Sequence, residues 1–269
     1  MHTHDLVTVP PVAPRVTIAA GTPLLRVIGL TAVHRDSGRS RKALHHIDLT
    51  VAAGQCLAVV GRSGSGKTTL ARCIAGLHTR SDGALTLDGQ PLHPRLDRRP
   101  RGQLAAAQYV FQDARASFNP YRPVLDQITR AAQCLATAGP PAALDLIKRV
   151  GLTEDIAAQR PDRLSGGELH RAALARALVT GPNLVICDEI TAGLDGVTQH
   201  RILTLLDELR RDLGLALIVI SHDRTVVTRL ADDIAVLDSG CIVEHGPAAT
   251  LLSRPHHPLT RALLQVEAT

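Results

Sequence analysis

The stretch Gly61-Arg62-Ser63-Gly64-Ser65-Gly66-Lys67-Thr68 has the residue types and spacing needed to hold a polyphosphate. It fits the pattern G-x-x-x-x-G-K-[ST]. Glycines at the turning points let the backbone fold tightly, so that successive N–H groups converge on phosphate oxygens. Lys67 is placed to reach the β- and γ-phosphates, and the Thr68 hydroxyl to ligate Mg²⁺, with Thr69 directly behind it. A chance glycine-rich turn is the alternative, and the flanks argue against it. The apolar run Cys56–Val60 reads as a buried strand entering the loop, and Thr68–Gly76 as a helix leaving it, closed by a glycine. A helix N-terminus aimed at the phosphates adds partial positive charge.

Two further clusters extend this chemistry. Asp188-Glu189 ends a mostly apolar strand that begins at Asn183. An acid at that place can hold Mg²⁺ directly or through water, and the neighbouring Glu189 is placed to polarise an attacking water. Leu164-Ser165-Gly166-Gly167-Glu168 opens a helix running to Leu178. Ser165 can cap it, the glycines permit close backbone approach, and the result is a second anion-binding helix start in one chain.

These residues need elements to position them. Leu24–Leu30 and Ala43–Val51 alternate like strands, split by the polar loop His34–Ser40. Ala84–Gly89, Ala107–Gln112 and Leu215–Ser221 read as further strands, and Gln199–Leu213 as a helix. Ile234–Leu237 and Cys241–Glu244 flank the turn Ser239-Gly240 as a hairpin. From Asp113 to Leu164 the character becomes helical, with Val124–Ala138 and Ala142–Val150 separated by Gly139-Pro140-Pro141. Residues 1–22, with Pro10, Pro11 and Pro14 and no periodicity, read as a loose tail. Strands alternating with helices predict an α/β fold with a largely parallel sheet.

Composition bounds the rest. The 269 residues, 45% hydrophobic, suffice for a full core. No apolar run approaches the roughly 20 residues that span a bilayer. The start Met1-His2-Thr3-His4-Asp5 lacks a basic region and an apolar core, so no secretory signal is expected. The five cysteines are scattered without C-x-x-C pairing and read as small core residues. The net charge is +5, and the one dense basic run, Arg95–Arg101, reads as a solvated loop; no nucleic-acid partner is expected. The 13 histidines include near-pairs such as His45-His46 and His256-His257 but are not joined to cysteine ligands, and they read as surface residues.

Taken in order, the motifs resemble those of the ATP-binding subunit of an ABC transporter, from about Leu24 to the C-terminus. Leu164–Glu168, between the phosphate loop and Asp188-Glu189, matches the signature that separates this family from other nucleotidases. The resemblance implies a P-loop NTPase (RecA-like) core with a mostly parallel sheet, an antiparallel β subdomain and an inserted helical subdomain. The ATPase domain would cover 23–269, with 113–164 as the helical subdomain and 241–269 as a C-terminal extension. It implies ATP and Mg²⁺ as cofactors, with Thr68, Gln112 and Asp188 toward the metal. Gln112 would be the Q-loop residue, Ser165–Glu168 the signature, Leu194-Asp195 the D-loop, Glu189 the general base and His222 the switch histidine contacting the γ-phosphate. Where the family commonly has an adenine-stacking aromatic, the matching residue is His34. Glu168 replaces the commoner Gln, and Ile190 and Gly193 depart from the usual Pro and Ala.

Phe111–Pro120 and Pro255–Leu264 resemble segments of oligopeptide and nickel importers, with Leu259 in place of an aromatic. The short ending after Leu264 and Gly61-Arg62-Ser63 point toward the second ATPase of a nickel-type system. The partners so implied are permease subunits, docked by a coupling helix near Gln112–Tyr121, a second ATPase subunit in a homo- or heterodimer, and indirectly a solute-binding protein. The place would be the cytoplasmic face of a bacterial membrane. All four Phe and Tyr residues lie between Tyr109 and Tyr121; Phe118 and Tyr121 are expected as interface anchors. The competing function is an accessory ATPase of a soluble assembly such as phosphonate carbon–phosphorus lyase.

Overall fold

Three five-residue runs, Cys-Leu-Ala-Val-Val, Leu-Val-Ile-Cys-Asp and Ala-Leu-Ile-Val-Ile, are too apolar to face water on either side and become the centre of a sheet. The computed structural model describes residues 23–36, 39–135 and 143–264. The expected tail 1–22, the linker 139–141 and the last residues of the C-terminal extension lie outside the described residues. β1 (Leu25–Asp36), β2 (Arg39–Val51), β4 (Asp82–Leu87) and β5 (Gln90–Pro91) form an antiparallel sheet ordered β2-β1-β4-β5. β3 (Cys56–Val60), β6 (Ala107–Val110), β7 (Leu184–Asp188), β8 (Ala216–Ile220), β9 (Asp233–Asp238) and β10 (Cys241–Pro247) form the second sheet, ordered β10-β9-β3-β8-β7-β6. Only β10 runs antiparallel, paired to β9 through the turn at Ser239-Gly240.

Alternation along the central strands divides the core. Val185, Cys187, Leu217 and Val219 face the larger helical layer, whereas Leu184, Ile186, Ile218 and Ile220 face the antiparallel sheet and helix α1 (Lys67–Ala75). The helical layer is built from α3 (Val124–Leu135), α4 (Ala143–Arg149), α5 (Glu154–Ala157), α6 (Gly166–Leu178), α7 (Gly196–Leu213) and α8 (Arg224–Leu230). A short α2 (Arg101–Ala106) precedes β6, and α9 (Ala248–Ser253) and α10 (Pro258–Leu264) cover Ala58 and Val60. Among the described residues, no helix is long and apolar enough to cross a membrane.

The structure departs from the sequence expectations in definite places. His34 lies in β1, not in a loop, opposite Arg41. An antiparallel hairpin can run past the core into solvent, so its outer residues need not be apolar. α7 begins at Gly196, three residues ahead of the expected Gln199, because Asp195 caps it through the Val197 and Thr198 amides. Phe118 is buried and lies under the Arg176 guanidinium, 4.4 Å from its centroid, so it is a packing residue and not an exposed anchor. Tyr121 is 80% exposed.

The basic run Arg95–Arg101 is likewise not a uniformly solvated loop. Arg95 pairs with Asp97 at 2.7 Å on the surface, but Arg99 is 5% exposed. Its guanidinium donates to the Ile74 carbonyl at the end of α1 and to the His93 carbonyl, at 2.9 Å each. A cation there complements the negative end of the helix. Arg99→Ala leaves two carbonyls without donors and should lower folding stability by about 2–4 kcal/mol in urea denaturation. Arg95→Ala should leave the unfolding midpoint where it is.

Candidate active site

Every candidate catalytic group sits just beyond the carboxyl end of a parallel strand. The phosphate loop follows β3, Gln112 follows β6, Asp188 ends β7 with Glu189 next, and His222 follows β8. Pairing of Asp188 with Ile220 puts the last two ends level, and such strand ends are where open α/β sheets bind ligands.

The loop itself is held by close packing. A Cβ on Gly61 would fall 2.1 Å from the Leu237 carbonyl oxygen, and one on Gly66 would fall 2.7 Å from the Ala43 carbonyl oxygen. Gly66 also has φ 107°, which side-chain-bearing residues rarely adopt. The β9–β10 turn closes the contact, since the Gly240 N–H donates to the Ser65 carbonyl at 2.9 Å. Arg62, Ser63 and Gly64 are exposed at the rim. The Ser65 hydroxyl is buried without a hydrogen-bond partner among the described residues, as suits a donor built for an incoming acceptor. Lys67 is buried and donates to the Gly61 and Arg62 carbonyls at 2.8 and 2.9 Å. Burial pushes its pKa down, opposed by the carboxylates of Glu189 and Asp188. An anionic phosphate beside this ammonium would restore the charged form.

Beside the loop, the Thr68 hydroxyl lies 3.4 Å from Asp188 Oδ1. Asp188 is buried, and its Oδ2 accepts from the Tyr109 hydroxyl at 2.6 Å. A hydroxyl and one carboxylate form an all-oxygen donor set, which fits Mg²⁺ completed by substrate phosphates and waters. No cluster of three or more His, Cys, Asp or Glu residues suited to a metal exists among the described residues, so the soft-metal chemistry of a histidine or cysteine cage finds no ligand set there.

Glu189 is half-buried and has φ 47°, unusual outside glycine. Its Oε2 accepts from Gln112 Nε2 at 3.2 Å, and its Oε1 lies 3.3 Å from His222 Nδ1. Gln112 and His222 are themselves exposed, so Glu189 is bracketed by two side chains from separate strand ends. His34 Nε2 lies 3.0 Å from the Thr69 hydroxyl, and its ring is 4.8 Å from that of His78. The expected base-stacking residue is thus brought to the first turn of α1.

Two predicted groups stand apart. Among the described residues, Ser165 and Glu168 hydrogen-bond to each other and to no residue of Gly61–Thr68. The Ser165 amide and hydroxyl donate to Glu168 Oε2 at 2.8 and 2.7 Å, and the Glu168 amide donates back, a reciprocal cap for α6. Gly166 is exposed, and a Cβ on Gly167 would fall 2.7 Å from the Thr198 methyl. Asp195, exposed, accepts from Val197, Thr198 and the Thr198 hydroxyl.

Against known proteins, the family profile described as ABC transporter matches residues 44–192. The chain belongs to the ABC transporter ATPase family. A methionine import ATP-binding protein of Rhodococcus jostii is 38% identical over 90% of this chain and 71% of its own length. A nickel import ATP-binding protein of Rhodospirillum rubrum is 37% identical over 93% of this chain and 90% of its own. A putative peptide import ATP-binding protein of Brucella abortus is 39% identical over 83% and 68%. Among solved structures, a dimeric ATP-binding cassette in a post-hydrolysis state with ADP and Pi superposes with TM-score 0.73 at 25% identity, covering 83% of this chain and 98% of that one. The chain is an ATPase of this family, with the P-loop NTPase core that its motifs predict.

Of the groups near the phosphate loop, Tyr109 is one to which sequence reading gives no role beyond its place in the strand Ala107–Gln112. Its contact to Asp188 depends on the pairing of β6 with β7, which is invisible along a single strand. The Ser165–Glu168 cap yields a test. The Glu168 carboxyl is held below its ordinary pKa, first by the Ser165 hydroxyl and then by the Ser165 amide. A depressed folded pKa means that the cap acts above the unfolded value of about 4.3 and is lost as pH falls through the folded one. Ser165→Ala should cost about 1 kcal/mol at pH 7, and the difference from the unaltered chain should shrink toward pH 3 in paired thermal melts.

Proposed function

We propose that this ATPase powers import of a small solute through a peptide- or nickel-type ABC transporter, with ATP bound between two ATPase subunits. The observation that carries the reading is Glu189 held between Gln112 and His222, beside the Thr68–Asp188 pair. The phosphate loop grips the triphosphate, and Lys67 exchanges its loop carbonyls for phosphate oxygens. Thr68 and Asp188, with Gln112 at the rim, would hold Mg²⁺, which neutralises charge on the phosphates when bound. Glu189 takes the proton of the attacking water as general base, and His222 orients toward the γ-phosphate. His34 supports the base at the mouth. Ser165–Glu168 and Asp195 meet the nucleotide of the second subunit, consistent with their separation from this chain's own loop.

Import is the direction borne by the methionine, nickel and peptide relatives. The nickel-type lean rests on the Rhodospirillum relative, whose alignment takes in most of both chains. The permease would dock beside Gln112–Tyr121. There a groove of about 490 Å³ is lined by Asn119, Arg122, Gln127, Arg130 and Arg176, with the exposed Tyr121 nearby as an anchor. A solute-binding protein would act only through that permease.

Glu189→Gln should keep ATP binding while turnover falls at least about 100-fold, as read by phosphate release; unchanged turnover removes Glu189 as the base. Lys67→Ala should instead abolish ATP binding itself, as read by calorimetric titration. Tagged Glu189→Gln protein, captured with ATP and Mg²⁺ from detergent-solubilised host cells, should bring down permease subunits. Capture of a soluble enzyme complex with no membrane protein would refute the import reading in favour of an accessory ATPase.

A further inference from the structure

β6 and β7 run parallel with Tyr109 level with Ile186. Side chains level with one another in neighbouring strands share a face, and Asp188, two residues after Ile186, shares it too. A tyrosine at 109 is therefore long enough to run along the sheet surface and deliver a hydroxyl to the carboxylate at the strand end. It does so at 2.6 Å, a length typical of a hydroxyl donating to an ionised oxygen. The ring is fixed from its other side by Phe111, at 4.7 Å between centroids. Asp188 is 4% exposed, so Oδ2 has little water to turn to if the phenol is removed. Its other oxygen, Oδ1, is the one that faces Thr68.

We propose that Tyr109 is a positioning residue that locks the Asp188 carboxylate with Oδ1 toward Thr68, and so sets how strongly Mg²⁺ contributes to nucleotide affinity. This rests on the reading of Asp188 as the Mg²⁺-directed carboxylate. A carboxylate gripped through one oxygen cannot rotate about its terminal bond without losing that hydrogen bond. The orientation of Oδ1 is then set by the sheet register and not by whatever fills the loop. Strands β6 and β7 thus meet at one hydroxyl, and the other oxygen of Asp188 carries the contact on to Thr68 of helix α1. A phenylalanine or methionine at 109 fills the same volume and supplies no donor.

The test uses the full chain and a non-hydrolysable ATP analogue, with affinity measured by calorimetry in Mg²⁺ and in EDTA. Tyr109→Phe should lower the gain in affinity that Mg²⁺ confers by about threefold or more, a fraction of what a hydrogen bond to a charged group is worth, and leave the affinity in EDTA unchanged. Asp188→Asn should remove most of the same gain. If Asp188→Asn removes it and Tyr109→Phe does not, the positioning role is wrong while the carboxylate reading stands. If Asp188→Asn keeps the full gain, the carboxylate reading fails and the proposal with it. Equal losses in Mg²⁺ and EDTA for Tyr109→Phe would mark a packing residue only, and would also overturn it. Tyr109→Met provides the same comparison should the phenylalanine variant not fold.

Discussion

β3, β7 and β8 are buried residue by residue on both faces, and that double burial governs where chemistry can occur in this chain. No polar side chain can project from the middle of such strands without losing its water. Functional groups are confined to the points where the strands stop. Parallel pairing then places those stops along one edge, so that the phosphate loop, Asp188-Glu189 and Ser221-His222 become neighbours although they are far apart in sequence. The glycines of the loop follow from the same constraint. With Leu237 and Ala43 carbonyls packed against it, the loop backbone has no room for a Cβ at Gly61 or Gly66.

Asp188 shows how the edge treats a charge. It is buried, yet one oxygen is bonded to Tyr109 and the other lies toward Thr68. Burial and that same hydrogen bond push the Tyr109 pKa up, so the phenol stays a proton donor across any physiological pH. Glu189, next in sequence, lies past the end of the strand, with its backbone turned to φ 47° and its carboxylate between Gln112 and His222. Two adjacent acids are thereby sent to different surroundings, one toward the loop hydroxyl and one toward Gln112 and His222. In the proposed mechanism this divides metal holding from proton transfer.

Much of this was legible from residue order. The apolar runs before Gly61 and Asp188 identified central strands because burial on both faces removes polar alternation, and the loop, Gln112, the Ser165 cap and His222 could be read from their flanks and family resemblance. What escaped reading depended on partners distant in sequence. Tyr109 stood out only as a strand aromatic because its contact to Asp188 needs β7 beside it. Arg99 looked like one more surface arginine because its acceptors, at Ile74 and His93, belong to other segments. Phe118 looked like an anchor because the residue that covers it, Arg176, lies in α6. His34 looked like loop because a hairpin extending beyond the core carries no hydrophobic signal.

Gln112 links the edge of the sheet to the helical layer. It stands two residues past the end of β6, in the segment that leads to α3, and its amide reaches back to Glu189. The rest of that segment is anchored elsewhere: Ala114 and Phe118 pack into the helical layer, and Arg176 of α6 donates to the Ser117 carbonyl. A displacement of the helical layer relative to the sheet would therefore be carried through Asp113–Phe118 to a single exposed hydrogen bond of 3.2 Å. Such a bond is weak, since water competes for its partners, and the 3.3 Å contact from the exposed His222 is no stronger. His222 stands at the same remove from β8 and leads into α8. The two holders of the proposed base thus come from different strand ends, β6 and β8, and its carboxylate is held from each side only when both are in place.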